Sequence, residues 1–356
     1  MQQPTTMRGV LLTGHGGLDK LEYREDLPVP AVGRGDVLIR VGAAGVNNTD
    51  INTRIGWYSR RHEPGEEGVA EDASWGGKAL DLPRIQGIDV CGRIVGVGDG
   101  VDAARVGERV IVEPCLREAG GQALDPPWYL GSECDGGFAE YLAVAARHAH
   151  RVDSPLTDVE LASFPCSYST AENLLHRAGL QAGERVLVTG ASGGVGSAVI
   201  QLARLRGAQV IAVTSPAKAA ALRELGAART LSRHDDPVTA LGADGVDVVV
   251  DLVAGDAFVS LLEVLRPGGR YATSGAIAGP LVRLDLRTLY LKDLTLLGCT
   301  ALDAEVFPAL VGYIAQGRLR PLVAATFALA DIAAAQTAFL QKQHVGKLVL
   351  TVAAEG

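Results

Sequence analysis

Residues 185–201 read RVLVTGASGGVGSAVIQ, and this stretch decides how one half of the chain folds. Val186 to Thr189 is a short, apolar, β-branched run, the composition of a buried strand. Gly190, Gly193, Gly194 and Gly196 make a turn. Val195, Val199, Leu202 and Ala203 then recur at helical spacing, which buries one face. Strand, glycine turn and helix in that order let a backbone approach a pyrophosphate closely, and the free N–H groups at the helix start meet its charge. In the pattern G-x-G-x-x-G the first position is alanine here. The expected cofactor-binding turn is therefore Ala191, Ser192, Gly193, Gly194, Val195 and Gly196. The plainer alternative is a tight βα turn with no ligand.

Downstream, strands and helices alternate. Gln209–Thr214 is a second strand, Ser215 and Pro216 read as helix cap and first helical residue, and Gly226 ends that helix. Val246–Asp251, Arg270–Thr273 and Leu294–Leu297 are further strands, so the pattern predicts an α/β, doubly wound parallel sheet. The second strand decides the carrier. An acidic residue at its end would accept from the 2′-hydroxyl of NAD. The chain has Thr214, Ser215 and Lys218 there, with no carboxylate between them, and hydroxyls plus a cation suit a 2′-phosphate. The expected cofactor is NADPH. Ser215 as a mere cap and Lys218 as a solvated side chain is the competing reading, and both roles are compatible.

Before residue 158 the grammar is different. Arg8–Leu12, Leu21–Tyr23 and Asp36–Val41 read as short strands, as do segments of 85–112 and 136–142. Frequent short strands with Gly and Pro turns predict a small barrel or sandwich. Residues 45–58, GVNNTDINTRIGWY, read as a turn opening a short helix. Residues 59–83 show no period and read as a loop, with His62 a lone solvated histidine. Residues 113–135 hold Cys115 and Cys134 around an expected turn at Pro126, Pro127 and Trp128. The last 55 residues read as helix, strand, helix and the strand Lys347–Thr351.

The 356 residues carry a net charge of −8 with no basic run, which argues against nucleic-acid binding. No uninterrupted run of 18 apolar residues predicts a membrane span. The N-terminus lacks a signal-peptide pattern. Five scattered cysteines without a CxxC suit free thiols in a reducing, cytoplasmic compartment.

Taken together, GVNNTD at 45–50, the G-x-D-x-x-G of 87–92, DGGFAEY at 135–141, the glycine turn and the terminal GKLVL resemble the medium-chain dehydrogenase/reductase superfamily over essentially the whole chain. The resemblance implies a GroES-like catalytic domain at 1–157, a Rossmann domain at 158–301 and a segment at 302–356 returning to the first. It also implies a homodimer or homotetramer acting on a small-molecule carbonyl substrate. Where the alcohol dehydrogenase branch carries zinc ligands, this chain has Asn47 for a cysteine and Ile88-Asp89 for His-Glu, with Cys166 near the third position. Of the four-cysteine structural lobe only Cys115 and Cys134 remain, so no metal is expected.

The pattern is similar instead to zinc-independent quinone reductases and 2-enoyl reductases. DINTRIGWY at 50–58 looks like the segment whose terminal tyrosine is the proton donor, here Tyr58. The 59–83 loop departs from those families in being longer and more acidic. The resemblance implies hydride delivery from NADPH to a quinone or an α,β-unsaturated carbonyl. Tyr58 would donate to the developing oxyanion and Asn47 would offer an amide donor. It also implies Thr170, Ser274 and Gly275 near the nicotinamide and Lys347 on the cofactor phosphates. An alternative for Tyr58 is packing with Trp57 under the loop. The rival functions are a zinc- or NAD-dependent alcohol dehydrogenase and a non-catalytic NADPH-binding protein.

Overall fold

A computed structural model describes residues 4–61 and 70–352, so His62 lies outside the described residues. The chain divides into two compact units, one of residues 1–166, 311–343 and 347–356, the other of 167–310 and 344–346. The divisions fall inside the helices Pro165–Arg177 and Val306–Ala315. Helical periodicity continues through both points, so composition gives no mark of them.

The second unit holds a six-stranded parallel sheet. Its strands are β1 (Arg185–Val188), β2 (Gln209–Thr214), β3 (Arg229–Ser232), β4 (Val246–Asp251), β5 (Leu265–Thr273) and β6 (Thr295–Gly298). They lie in the order β3-β2-β1-β4-β5-β6, every pair parallel. The order reverses between β1 and β4, and a ligand crevice opens at the carboxyl ends of strands at such a switch. Leu187, Ile211, Val249, Leu261 and Tyr271 are among the residues that fill the core on one face. The sequence reading missed β3: it is an edge strand of Arg, Thr, Leu and Ser in which only Leu231 is buried. Gly190 has φ +58°. At Gly196 a Cβ would sit 2.5 Å from the Gly190 carbonyl oxygen, so only glycine lets the helix Gly194–Leu205 approach the strand end.

The first unit is β-rich. Its seven-stranded sheet places Asp36–Val46 centrally, antiparallel to Asp89–Val97, Tyr141–Ala145 and Lys347–Thr351. Three strands, Thr6–Leu12, Leu21–Pro28 and Arg84–Ile85, make a smaller sheet. Val37, Ile39, Val90, Ile94, Phe138 and Leu348 lie in one continuous core. The expected turn at Pro126–Trp128 is instead part of the strand Gln122–Tyr129, paired with Cys115–Ala119. A two-stranded ribbon has free edges that tolerate proline. Gly120 and Gly121, at φ +56° and +73°, take the turn. Residues 136–138, expected as strand, are not; that strand begins at Tyr141. Gly136 is held too close for a side chain, a Cβ there meeting the Gly87 carbonyl oxygen at 2.4 Å. No helix among the described residues is long and apolar enough to cross a membrane.

Candidate active site

In the first unit, three neighbouring strands bring Asn47, Asp89 and Lys347 to one end of the sheet. Gly45 pairs with Asp89 on one side and Val349 on the other. A Cβ on Gly45 would lie 2.5 Å from Asp89 Oδ2, so the glycine before Val46-Asn47 makes room for the carboxylate. Asp89 is fully buried. Its Oδ1 accepts from the Cys166 N–H at 2.5 Å, and its Oδ2 accepts from Asn47 Nδ2 at 2.8 Å and Lys347 Nζ at 2.7 Å. Lys347 Nζ also donates to Asn47 Oδ1.

The Lys347 side chain, expected on the cofactor phosphates, is 3% exposed and donates to Asp89 and Asn47. The Asn47 amide, expected as a donor, has Nδ2 on Asp89 and Gly45 and Oδ1 on the ammonium.

The same positions test whether zinc fits. They carry a committed amide, an isoleucine, an ion-paired carboxylate and one thiol. Among the described residues no group of three His, Cys, Asp or Glu side chains is placed to hold a metal. A resident ammonium on the one carboxylate repels a dication, so the donor set does not suit zinc.

Asp50 lies beside this cluster, its Oδ2 accepting from the Asn47 N–H at 2.7 Å. Burial pushes its carboxyl up; the Asn47 N–H and the Lys347 ammonium pull it partly back, leaving it at about 7. Tyr58 is half-buried and donates to Thr49 Oγ1 at 3.0 Å. Burial raises its phenol, its bonds to Thr49 and Asn52 offset part of this, and the result is about 12. It is therefore a neutral donor at neutral pH. Its stacking partner is Trp75, at 5.6 Å between centroids and 18° between planes, rather than the expected Trp57. Trp75 in turn meets Tyr129 at 4.1 Å. Trp75 thus lies between Tyr58 and Tyr129, and Asp72 nearby in sequence accepts from Ser59 Oγ and the Arg60 N–H.

In the second unit, Ala191 to Gly196 follow β1 at the switch point, with Gly193 capping the twelve-residue helix Gly194–Leu205. The first N–H groups of such a helix have no partner within it. Lys218 Nζ reaches Ser192 Oγ at 3.5 Å. Burial, and then the nearby Arg233 cation, lower the Lys218 pKa. Ser215 stands at the cap position of the turn Pro216–Lys218 yet makes no side-chain cap bond, so its hydroxyl is not spent on the helix. Thr214 Oγ1 is buried with no hydrogen-bond partner. The structure therefore brings Ser192, Thr214, Ser215 and Lys218 to one end of the sheet. Gly275 follows β5, and the Thr273 hydroxyl donates to its carbonyl at 3.2 Å. Ser274 beside it is exposed, and Thr170 is half-buried on the helix Pro165–Arg177.

Sequence reasoning missed two features of this unit. Arg233 follows the overlooked β3, and its N–H donates to the Thr214 carbonyl at 3.1 Å. Asp251, at the end of β4, is fully buried and accepts from Thr189 and Tyr271 hydroxyls and from loop N–H groups. Ala254, just beyond, holds φ +57° and ψ −140°. A non-glycine residue there costs about 1–3 kcal/mol.

Comparison with known proteins agrees with this architecture. Residues 33–154 match the alcohol dehydrogenase GroES-like domain, and residues 194–316 match the zinc-binding dehydrogenase family. A quinone oxidoreductase of Rattus norvegicus is 29% identical over 97% of both chains. An acryloyl-coenzyme A reductase of Metallosphaera sedula is 31% identical, covering 97% of this chain and 100% of the relative. The crystal structure of a candidate alcohol dehydrogenase from Sinorhizobium meliloti 1021 is 49% identical, covers 99% of this chain and 98% of that one, and superposes with a TM-score of 0.89. A GroES-like unit, a six-stranded Rossmann sheet and full-length relatives thus converge, and the chain belongs to the medium-chain dehydrogenase/reductase superfamily of oxidoreductases.

Proposed function

We propose that the protein is an NADPH-dependent reductase of a quinone or an α,β-unsaturated carbonyl, working without zinc. The observation that carries this reading is the Lys347 ammonium on Asp89 and Asn47, at the positions where the alcohol dehydrogenase branch places its metal ligands. The names of two relatives point the same way, since a quinone and an acryloyl thioester are both conjugated carbonyl compounds. The preference for NADPH is supported by Thr214, Ser215, Lys218 and the added cation Arg233, which together suit a 2′-phosphate.

When bound, the reduced carrier supplies a hydride to the electron-poor carbon. The chain's own task is the charge that develops on the carbonyl oxygen. Tyr58 donates a hydrogen bond, and then its proton, from a phenol that burial keeps neutral. Thr49 holds that hydroxyl in place, and the Asp89–Lys347–Asn47 cluster fixes the strand end from which Asn48–Arg54 starts.

The test is loss of NADPH absorbance across quinones, enones and enoyl thioesters, with NADH in parallel. Turnover of a conjugated carbonyl with NADPH preferred supports the reading. The alternative is a zinc- or NAD-dependent alcohol dehydrogenase, favoured by the name of the Sinorhizobium relative. About one zinc per purified chain would revive it. Tight NADPH binding with no turnover would indicate a non-catalytic binding protein.

We also propose a homodimer through the β6 edge. That strand carries no charge or proline to protect it. Ile277, Leu281, Leu286, Tyr290, Leu291 and Leu296 are exposed nearby in sequence. A partner copy seated on that edge would cover these apolar side chains, in an interface that for a standard pair takes about 800 Å² from each side. Sedimentation showing a monomer at micromolar concentration would refute it.

A further inference from the structure

The crevice at the carboxyl ends of β1 and β4 has the glycine turn on one side and the loop Leu252-Val253-Ala254 on the other. The loop is locked by buried hydrogen bonds. Asp251 accepts from the Thr189 hydroxyl at 2.5 Å, the Tyr271 hydroxyl at 2.6 Å and the N–H groups of Val253 and Ala254 at 2.9 and 3.1 Å. Thr189 Oγ1 accepts in turn from the Leu252 N–H at 2.9 Å. The Val253 carbonyl accepts from the Ala278 N–H at 2.9 Å. Burial and the adjacent Asp251 raise the Tyr271 phenol, which keeps it a donor.

The loop touches both stretches expected to seat the carrier. A Cβ on Gly190 would lie 3.2 Å from Val253 Cγ2, and one on Gly275 would lie 3.3 Å from the Leu252 carbonyl oxygen. Ala254, at φ +57° and ψ −140°, sits in a region that suits glycine. Strain of this kind persists only where the surroundings over-determine the backbone, and the Asp251 carboxylate does so here.

We propose that Asp251 is a positioning residue for the nicotinamide carrier. It holds residues 252–254, strained at Ala254, in the form that sets the spacing between the glycine turn and the stretch after β5. This rests on the NADPH reading above. Its side chain is assigned no contact with reacting atoms; it acts through the loop it fixes.

The test compares full-length wild type, Ala254→Gly and Asp251→Asn, reading the apo thermal midpoint and the NADPH Kd by nucleotide fluorescence. A positioning role predicts opposite behaviour in the two variants. Ala254→Gly relieves strain while the Asp251 hydrogen bonds keep the loop in place, so the midpoint holds or rises and the Kd stays within twofold. Asp251→Asn loosens the loop, which must then be ordered on binding, so the Kd weakens about fivefold or more; should it fail to fold, Tyr271→Phe, which removes one bond to Asp251, is read in the same way. A Kd of the loosened variant within twofold of wild type, or a Kd of Ala254→Gly weakened as far as that of Asp251→Asn, overturns the proposal. A wild-type chain that binds neither NADPH nor NADH refutes the NADPH reading and this inference with it. Wild-type binding of NADPH beside an unaltered Asp251→Asn Kd refutes the positioning role alone.

Discussion

Replacing Lys347 by methionine isolates the buried cluster. The lysine side chain is 3% exposed and its carboxylate partner fully buried, at 2.7 Å. Removing one partner of a buried pair costs about 3–5 kcal/mol, because the other charge stays desolvated. Asp89 would keep the Cys166 N–H and the Asn47 amide, which places the loss near the lower end, about 3 kcal/mol. For a unit of roughly 200 residues each kcal/mol shifts Tm by about 2–4 °C, so the expected fall is about 6–12 °C. The double variant Asp89→Asn/Lys347→Met removes both charges of the pair and should recover much of the loss. A thermal double-mutant cycle should then give a coupling of at least about 2 kcal/mol. The NADPH Kd of Lys347→Met should stay within twofold. A single-variant loss below about 1 kcal/mol, or additive losses in the double variant, would refute the buried-pair account. A tenfold weakening of NADPH would return Lys347 to the cofactor phosphates.

Tyr58→Phe removes the proposed donor but keeps the ring on Trp75, so kcat should fall by about 10²-fold or more with NADPH affinity intact; unchanged turnover removes Tyr58 from the mechanism. Arg233→Ala and Lys218→Ala should each weaken NADPH about tenfold, the effect of losing one charge-assisted bond, and leave NADH nearly unaffected; equal losses for both carriers would contradict a 2′-phosphate role. Glu113 is nearly buried between His148, at 3.1 Å, and His150, at 3.3 Å. Burial pushes its carboxyl up, but the two histidines outweigh this and bring it to about 2. A depressed folded pKa means stability present above the ordinary carboxyl range and lost as pH falls from about 4.5 through about 2. Glu113→Gln should flatten that acid limb, and an unchanged limb in acid denaturation would show that Glu113 does not cause it. Asp50 has the opposite sign. Its raised pKa means stability is lost as pH rises from about 4 to about 7, and Asp50→Asn should remove that slope.

What could be read in advance follows from how local each signal is. The turn at 190–196 announces itself because apolar strand, glycines and helix period are contiguous, and Gly196 meets a steric demand six residues away. The strand Asp36–Val46 is legible from its apolar run. The strand β3 is not, since an edge strand needs little burial, and with it went Arg233. The proline-bearing ribbon Gln122–Tyr129 defeats the rule that proline marks turns, because its edges are free. Lys347 and Asp89 lie 258 positions apart. No local pattern couples them, so a lysine beside a terminal strand read as a phosphate ligand until the sheet register placed it on a buried carboxylate. Asp251 shows no periodic signal either; its role is visible only once Thr189, Tyr271 and the loop surround it.

The most direct measurement is the rate of NADPH oxidation by chelator-dialysed protein mixed with a quinone or an enone, with NADH and zinc addition run beside it. The account predicts turnover that survives dialysis, prefers NADPH and gains nothing from zinc. Activity that appears only on restoring zinc, or that uses NADH equally well, would contradict it.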